Sequence, residues 1–328
     1  MTKLRVAING FGRIGRAFYK LAHERDDMEV VVVNDLGDRA NLEYLLKYDS
    51  AYGKWEGKFS AKFLREREMA KLPWKDLNID VVVECTGLFT EFAVARGHLT
   101  AGAKRVVISA PGKGDENLGA TVLMGINEEK LKTCQVSSNG SCTTNAASPV
   151  VAIIEEALDI EKALLDTIHS YTASQSLVDS PNKKDWREGR AAAHNIIPSS
   201  TGAATTVTKA VEGVPFFDGI SVRVPTIVGS YVDLTFVTKK STSKEEVNEI
   251  LTKAAALPHW EGIFKVSKEP LVSSDIIGDT YASIADLEMT RVVGGNLVKV
   301  LAWYDNEMGY ATTLVRHVAK LGSHISTP

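Results

Sequence analysis

The sequence predicts an α/β protein, in which a doubly wound parallel sheet occupies the first part of the chain and an α+β domain with a mainly antiparallel sheet follows. Three observations carry this expectation. Apolar strand-like runs alternate with helix-like stretches through the first third of the chain, the pattern of βαβ units. The first strand-to-helix turn carries three glycines. The second half instead shows period-two alternation and a Gly-Gly hairpin signal.

The first element, "LRVAI", is a buried-strand run that "NGFGRIGR" interrupts with Gly10, Gly12 and Gly15. In "RIGRAFYKLAHERDD", Ile14, Phe18, Leu21 and Ala22 fall on one helix face. "MEVVVVND" is a second buried strand ending in Asp35. Strand, G-x-G-x-x-G, helix, strand and acid follow in the order that a Rossmann-like dinucleotide-binding unit requires. Gly10 permits the tight turn, Gly12 admits a pyrophosphate close to the backbone, and Gly15 lets helix and strand pack. The amides of Arg13 and Ile14, at the helix N-terminus, suit the phosphates. Asp35 suits the ribose hydroxyls and would repel a 2′-phosphate, which favours NAD over NADP.

"IDVVVECTG" and "AKRVVISAPG" are two more strands, separated by a helix over "TEFAVARGHLTAG". Thr86, Gly87 and Ser109 stand at their carboxyl ends, where ligands collect in such sheets. Further on, "YVDLTFV" places Val232, Leu234 and Phe236 on one strand face and Tyr231, Asp233 and Thr235 on the other. "EEVNEILTKAAAL" is a helix, and "LEMTRVVGGNLVKVLAWYDN" pairs two strands across Gly294-Gly295.

Composition limits the classes of partner. The 328 residues are 44% hydrophobic and 24% charged, and 38 basic against 41 acidic side chains leave a net charge of −3. That balance gives no general attraction to nucleic acid or to an anionic membrane. No apolar run reaches the length of a membrane span, and the N-terminus lacks a secretory h-region, so a cytoplasmic address is expected. Three cysteines, at 85, 134 and 142, have neither disulfide-framework count nor zinc spacing, and no metal site is expected.

Cys142 is the one cysteine in chemically suggestive surroundings. "VSSNGSCTTNAASPV" passes from a strand-like run into a helix whose apolar positions are Val150, Ile153, Ile154 and Leu158, so Ser141 to Asn145 form its opening. A thiol there feels the positive end of the helix dipole, and its thiolate would be a nucleophile. Ionisation at neutral pH is therefore expected. Cys85 reads as a small hydrophobe inside its strand, and Cys134 has no assigned role. Among seven histidines, His169 ends the strand "ALLDTIHSYT" where it meets a polar segment, which makes it the candidate base. His23, His98, His317 and His324 read as solvated surface positions, and His194 and His259 have no chemical neighbour in sequence.

Six motifs, "INGFGRIGR", "SCTTN", "HSYT", "NIIPSSTGAA", "RVPT" and "WYDNEMGY", occur in the order found in the phosphorylating, NAD-dependent glyceraldehyde-3-phosphate dehydrogenases, and over nearly the whole chain the sequence resembles that family. The resemblance implies that Cys142 attacks the aldehyde of glyceraldehyde 3-phosphate, His169 takes the proton, and inorganic phosphate displaces a thioester to give 1,3-bisphosphoglycerate. It assigns Thr172 and Arg223 to the substrate phosphate, and Ser141, Thr143, Thr201 and Gly202 to the inorganic phosphate. Asn306 resembles the residue that fixes the nicotinamide carboxamide, and Tyr310 the ring beside it. It also implies a homotetramer and a discontinuous cofactor domain, 1–141 with 307–328, around a catalytic domain, 142–306. Erythrose-4-phosphate dehydrogenases are the nearest alternative and resemble the chain less around "HSYT" and "STGAA"; a non-catalytic nucleotide-binding protein is a third reading, weakened by the presence of both Cys142 and His169. Residues 54–70 are shorter than the family pattern, which implies a trimmed adenine side. Glu188 stands where a second basic residue is usual.

Overall fold

The computed structural model describes residues 3–325, so residues 1–2 and 326–328 of the expected cofactor domain lie outside the described residues. The chain divides into two compact units. One is the segment up to Ser141 together with the segment from Ala311 onward, and the other is Cys142–Tyr310. The division falls inside the closing helix, Met308–Gly322.

The first unit is built on β1 (Leu4–Asn9), α1 (Arg13–His23), β2 (Met28–Asn34), α2 (Arg39–Lys47), a short hairpin of β3 (Tyr48–Asp49) and β4 (Gly53–Lys54), β5 (Lys62–Leu64), β6 (Val81–Glu84), α3 (Phe92–Ala95), α4 (Gly97–Thr100), β7 (Arg105–Ile108), β8 (Ala120–Thr121) and β9 (Val136–Ser138). Its main sheet runs β5-β2-β1-β6-β7-β9-β8, and every neighbouring pair is parallel. Val6, Ala7, Ile8, Val81, Val82 and Val83 are fully buried, as strands covered on both faces must be. β1 lies between β2 and β6, so the chain's winding reverses at the carboxyl ends of β1 and β6, where such sheets open a ligand crevice.

Several local expectations are corrected here. The single helix over "TEFAVARGHLTAG" is two short turns, α3 and α4, broken at Arg96. Gly97, a residue that weakens a helix, begins the second turn, with the Met69 side chain packed over it. Cys85 lies just beyond β6 rather than inside it, and lines a cavity. His98 and His317 are fully buried rather than solvated. Trp74 Nε1 donates to His98 Nδ1 (3.0 Å), so His98 Nε2 carries the proton and faces Glu84 Oε2 at 3.0 Å. His317 Nδ1 faces Asn139 Oδ1 (3.1 Å) and its Nε2 faces Ser137 Oγ (2.8 Å), which ties the closing helix to the end of β9. Periodicity marks these positions as inner or outer only when their neighbours are apolar; here each imidazole is buried because polar partners satisfy both nitrogens.

The second unit contains α5 (Cys142–Leu158), β10 (Ile160–Ser170), β11 (Ile197–Ser200), α6 (Ala203–Ala210), β12 (Phe217–Val224), β13 (Ser230–Thr238), α7 (Lys244–Ala255), β14 (Phe264–Ser267), β15 (Ser283–Val293) and β16 (Leu297–Tyr304). The sheet order is β11-β12-β10-β13-β16-β15-β14. Only β10 with β12 and β14 with β15 are parallel; the other neighbours are antiparallel. Val232, Leu234 and Phe236 of β13 are fully buried while Tyr231, Asp233 and Thr235 are half-exposed, as the alternation predicts. The hairpin forms at Gly294 and Gly295, both with positive φ. The fold is α/β throughout, a parallel sheet in one unit and a mixed sheet in the other.

Candidate active site

Three elements of the second unit place the reactive side chains. Cys142 is the first residue of α5, so its sulfur sits where unpaired helix amides concentrate positive potential. His169 is the penultimate residue of β10, and Arg223 lies directly opposite it on the parallel strand β12. Cys142 Sγ is 3.3 Å from His169 Nε2. His169 Nδ1 is 2.6 Å from the Ser170 carbonyl oxygen and 2.7 Å from Arg223 Nη1, and Arg223 Nη1 also donates to that carbonyl at 3.2 Å.

The two contacts on Nδ1 demand different tautomers. Ser170 O accepts only, so it needs Nδ1–H, whereas Arg223 needs the Nδ1 lone pair. Only the first leaves the Nε2 lone pair facing Sγ–H. Electrostatics adds a correction to the expectation of a freely ionised thiol. Burial pushes the Cys142 thiol above its usual pKa, opposed first by Arg223 and then by hydrogen bonds to Thr143. Burial, and then the charge of Arg223, push His169 down to about 3. These shifts come from the surroundings; the attraction between sulfur and ring acts in addition. A lone thiolate or a lone imidazolium is therefore costly, while moving one proton from Sγ to Nε2 creates both charges 3.3 Å apart, where each offsets the other.

Tyr304, the last residue of β16, completes this cluster. Its ring meets His169 edge to face, with centroids 5.9 Å apart, and its hydroxyl lies 3.0 Å from Thr143 Oγ1 and 2.8 Å from Thr167 Oγ1. Sequence reasoning passed over it, although it stands inside "WYDNEMGY" two residues before Asn306. Asn306 Oδ1 accepts from Gly229 N (3.2 Å) and Ser230 Oγ (3.0 Å), which fixes the amide with its Nδ2 group as donor. Tyr310 is buried. Thr172 follows β10 and receives its turn from Gln175, while Thr201 Oγ1 accepts from Ala203 N (3.1 Å) and Gly202 caps α6. Ser141 is half-buried and directly precedes Cys142.

The first unit holds a cavity of about 500 Å³ at the carboxyl ends of β1, β2 and β6. Gly10, Gly12, Asp35 and Thr86 line it, as does Cys85, whose thiol burial pushes up to about 12 and makes unreactive. Gly10 has φ +96°, and a Cβ on it would lie 2.6 Å from Thr86 N; one on Gly15 would lie 2.2 Å from Gly10 O. Gly12 has no atom within 4 Å of a notional Cβ, so the space above it is open to a ligand. Asp35 accepts from Phe11 N (2.6 Å) and Gly37 N (2.7 Å), tying the glycine loop to the end of β2. Arg13 and Ile14 open α1, with the Arg13 side chain turned to Asp49 at 3.2 Å. Gly87, with φ +71°, and Ser109 follow β6 and β7. Residues 54–70 supply a wall, through Glu66, Arg67 and Met69, none of which stands out in sequence.

A glycine cradle at the switch point of a parallel sheet marks a dinucleotide-binding oxidoreductase, and the second unit adds a cysteine–histidine pair at the start of a helix. Comparison with known proteins makes this specific. Residues 4–92 match the glyceraldehyde 3-phosphate dehydrogenase NAD binding domain, and residues 141–306 match the glyceraldehyde 3-phosphate dehydrogenase C-terminal domain. The chain is 46% identical to glyceraldehyde-3-phosphate dehydrogenase of Mycobacterium avium, across 98% of this chain and 99% of that protein. It is 47% identical to that of Thermotoga maritima, across 95% and 97%, and 43% identical to glyceraldehyde-3-phosphate dehydrogenase 2 of Saccharomyces cerevisiae, across 97% and 99%. The chain belongs to the glyceraldehyde-3-phosphate dehydrogenase family.

Proposed function

We propose that the protein oxidises glyceraldehyde 3-phosphate with NAD and inorganic phosphate, giving 1,3-bisphosphoglycerate by way of a thioester on Cys142. The observation that carries this is the 3.3 Å approach of Cys142 Sγ to His169 Nε2 at the first turn of α5.

The chemistry follows from the residues. His169 Nε2 takes the proton as Sγ bonds to the aldehyde carbon, and the helix-start amides stabilise the oxyanion that forms. Arg223 binds the substrate phosphate with its planar fork, beside Thr172. An anion that draws Arg223 from Nδ1 leaves His169 in the tautomer with Nδ1–H on Ser170 O, which is the base form. NAD, when bound, supplies the hydride acceptor. The open cradle of the first unit supports this reading, with Gly10, Gly12 and Gly15 and the amides of Arg13 and Ile14 for the pyrophosphate, Asp35 for the ribose, and Thr86, Gly87 and Ser109 along the strand ends; in the second unit, Asn306 and Tyr310 are the residues that the family resemblance assigns to the nicotinamide. Hydrogenphosphate, held by Ser141, Thr143, Thr201 and Gly202, then attacks the thioester carbonyl through one oxygen; the C–S bond breaks, Cys142 leaves as thiolate, and the proton on His169 returns to it.

This reading makes the first unit the cofactor domain and the second the catalytic domain, acting in the cytoplasm. Assembly as a homotetramer is supported by exposed apolar side chains on the second unit, among them Leu164, Leu177 and Trp186, the last 87% exposed. The test is absorbance of reduced nicotinamide when the protein meets NAD, glyceraldehyde 3-phosphate and phosphate, with erythrose 4-phosphate as the competing substrate. A folded protein that gives no signal with the first aldehyde overturns the proposal.

A further inference from the structure

The hydroxyls behind Cys142 form a chain whose direction is set at one end. Thr167 Oγ1 is 3.1 Å from the Tyr231 carbonyl oxygen, which accepts only, so Thr167 donates there. Thr167 Oγ1 then accepts from Tyr304 Oη at 2.8 Å, and Tyr304 Oη in turn accepts from Thr143 Oγ1 at 3.0 Å. Tyr304 and Thr167 are each 1% exposed, so water does not compete for these bonds. Burial also pushes the Tyr304 phenol up, which keeps it a donor.

Thr143 has one hydroxyl proton, and two groups of the protein within reach could take it: the Cys142 sulfur and Tyr304 Oη. A thiolate would compete for it. Once the sulfur is acylated it carries no charge and is a poor acceptor, so in the thioester the proton goes to Tyr304. Thr143 Oγ1 then turns lone pairs, not a proton, toward the anion that approaches the thioester.

We propose that Tyr304 is a positioning residue that makes Thr143 a hydrogen-bond acceptor in the acyl-enzyme, and so favours an incoming anion that carries its own hydroxyl, hydrogenphosphate, over sulfate of the same shape and charge. Thr143 Oγ1 accepts from P–OH while an unprotonated phosphate oxygen attacks the carbonyl. Sulfate has no proton to give, so it either meets those lone pairs or takes the Thr143 proton and leaves the buried Tyr304 oxygen without its donor, a loss of one hydrogen bond that hydrogenphosphate avoids. The inference rests on the reading that Thr143 faces the attacking phosphate.

The experiment compares the KM for inorganic phosphate with the competitive inhibition constant of sulfate, at a pH where phosphate is the hydrogenphosphate dianion, in wild type, Tyr304→Phe and Thr167→Val. Phenylalanine keeps the ring against His169 and removes only the relay. In wild type, phosphate should be favoured over sulfate by about tenfold, the worth of one net hydrogen bond. Tyr304→Phe frees the Thr143 proton to donate to either anion and should shrink that ratio to about two, chiefly by tighter sulfate inhibition. Thr167→Val, which cuts the relay one bond further back, should shift the ratio the same way by less. A ratio unchanged in Tyr304→Phe, with wild-type turnover dependent on phosphate, overturns the relay alone. Wild-type turnover that continues beyond one equivalent of reduced nicotinamide without phosphate overturns the underlying reading as well.

Discussion

Arg223 and His169 face each other in register across the parallel pair β10/β12, with Nη1 2.7 Å from Nδ1. The charge of Arg223 opposes protonation of His169, and on the proposed reading the same cation holds the substrate phosphate. Arg223→Ala should raise the KM for glyceraldehyde 3-phosphate by about 10- to 100-fold, the worth of a charge-assisted hydrogen bond. Non-phosphorylated glyceraldehyde should be affected little, so the preference between the two aldehydes, measured as a ratio of kcat/KM, should collapse. Equal losses on both substrates would show that Arg223 does not hold the phosphate.

Cys142 and His169 should separate cleanly from the other thiols and imidazoles. Cys142→Ala should abolish the burst of reduced nicotinamide, and His169→Asn should slow it by about 10²- to 10⁴-fold, the usual worth of a general base. Cys85→Ala and Cys134→Ala should leave the burst largely intact, because burial pushes both thiols up and neither has an imidazole partner among the described residues. Iodoacetamide labelling followed by peptide mapping gives an independent check, since Cys142 should react first.

Asp35 should govern the choice between NAD and NADP. Its two oxygens hold the amides of Phe11 and Gly37, and the nearby Arg39 is turned to Glu43 at 2.7 Å. Arg67 lines the same cavity and Arg65 donates to the Leu36 carbonyl (3.0 Å), so it is the carboxylate of Asp35, not a lack of cations, that would oppose a 2′-phosphate. Asp35→Asn keeps an acceptor for the loop and removes the repulsion, so discrimination against NADP should fall by about tenfold, read from kcat/KM for both cofactors side by side.

Much of this was legible in sequence because it rests on local rules. The glycine loop needs particular glycines, buried parallel strands need unbroken apolar runs, and α5 needs a small polar opening before Val150, Ile153 and Ile154. What sequence could not supply was polar pairing at long range. Thr143 and Tyr304 are separated by 161 positions, and Ser137 and His317 by 180. No periodicity links such residues, so Tyr304 passed unnoticed and His317 read as a surface residue. The same limit explains the thiol: position at a helix start argues for ionisation, but the burial that opposes it is a property of the packed unit.

His317 offers a test of that last kind, with a sign that burial dictates. Its imidazole is held neutral, with the folded pKa pushed down to about 3 from an ordinary 6.5. Below pH 6.5 the unfolded chain binds a proton that the folded one refuses, so this residue's contribution to stability is full above 6.5 and drains away as pH falls towards 3. The loss amounts to a few kcal/mol at the low end. His169 is shifted in the same direction and adds its own slope. His317→Asn keeps polar atoms against Ser137 and Asn139 but removes the titration. It should be less stable than wild type at pH 7.5, where wild type keeps both hydrogen bonds, and should lose less on acidification. Thermal unfolding at pH 7.5 and pH 4.5 reads both quantities. The fall in Tm between the two should be smaller in the variant, with the remainder set by His169 and the carboxylates. An equal fall in both proteins would mean that the folded imidazole takes up its proton as readily as the unfolded one, and that Ser137 and Asn139 accommodate the charge.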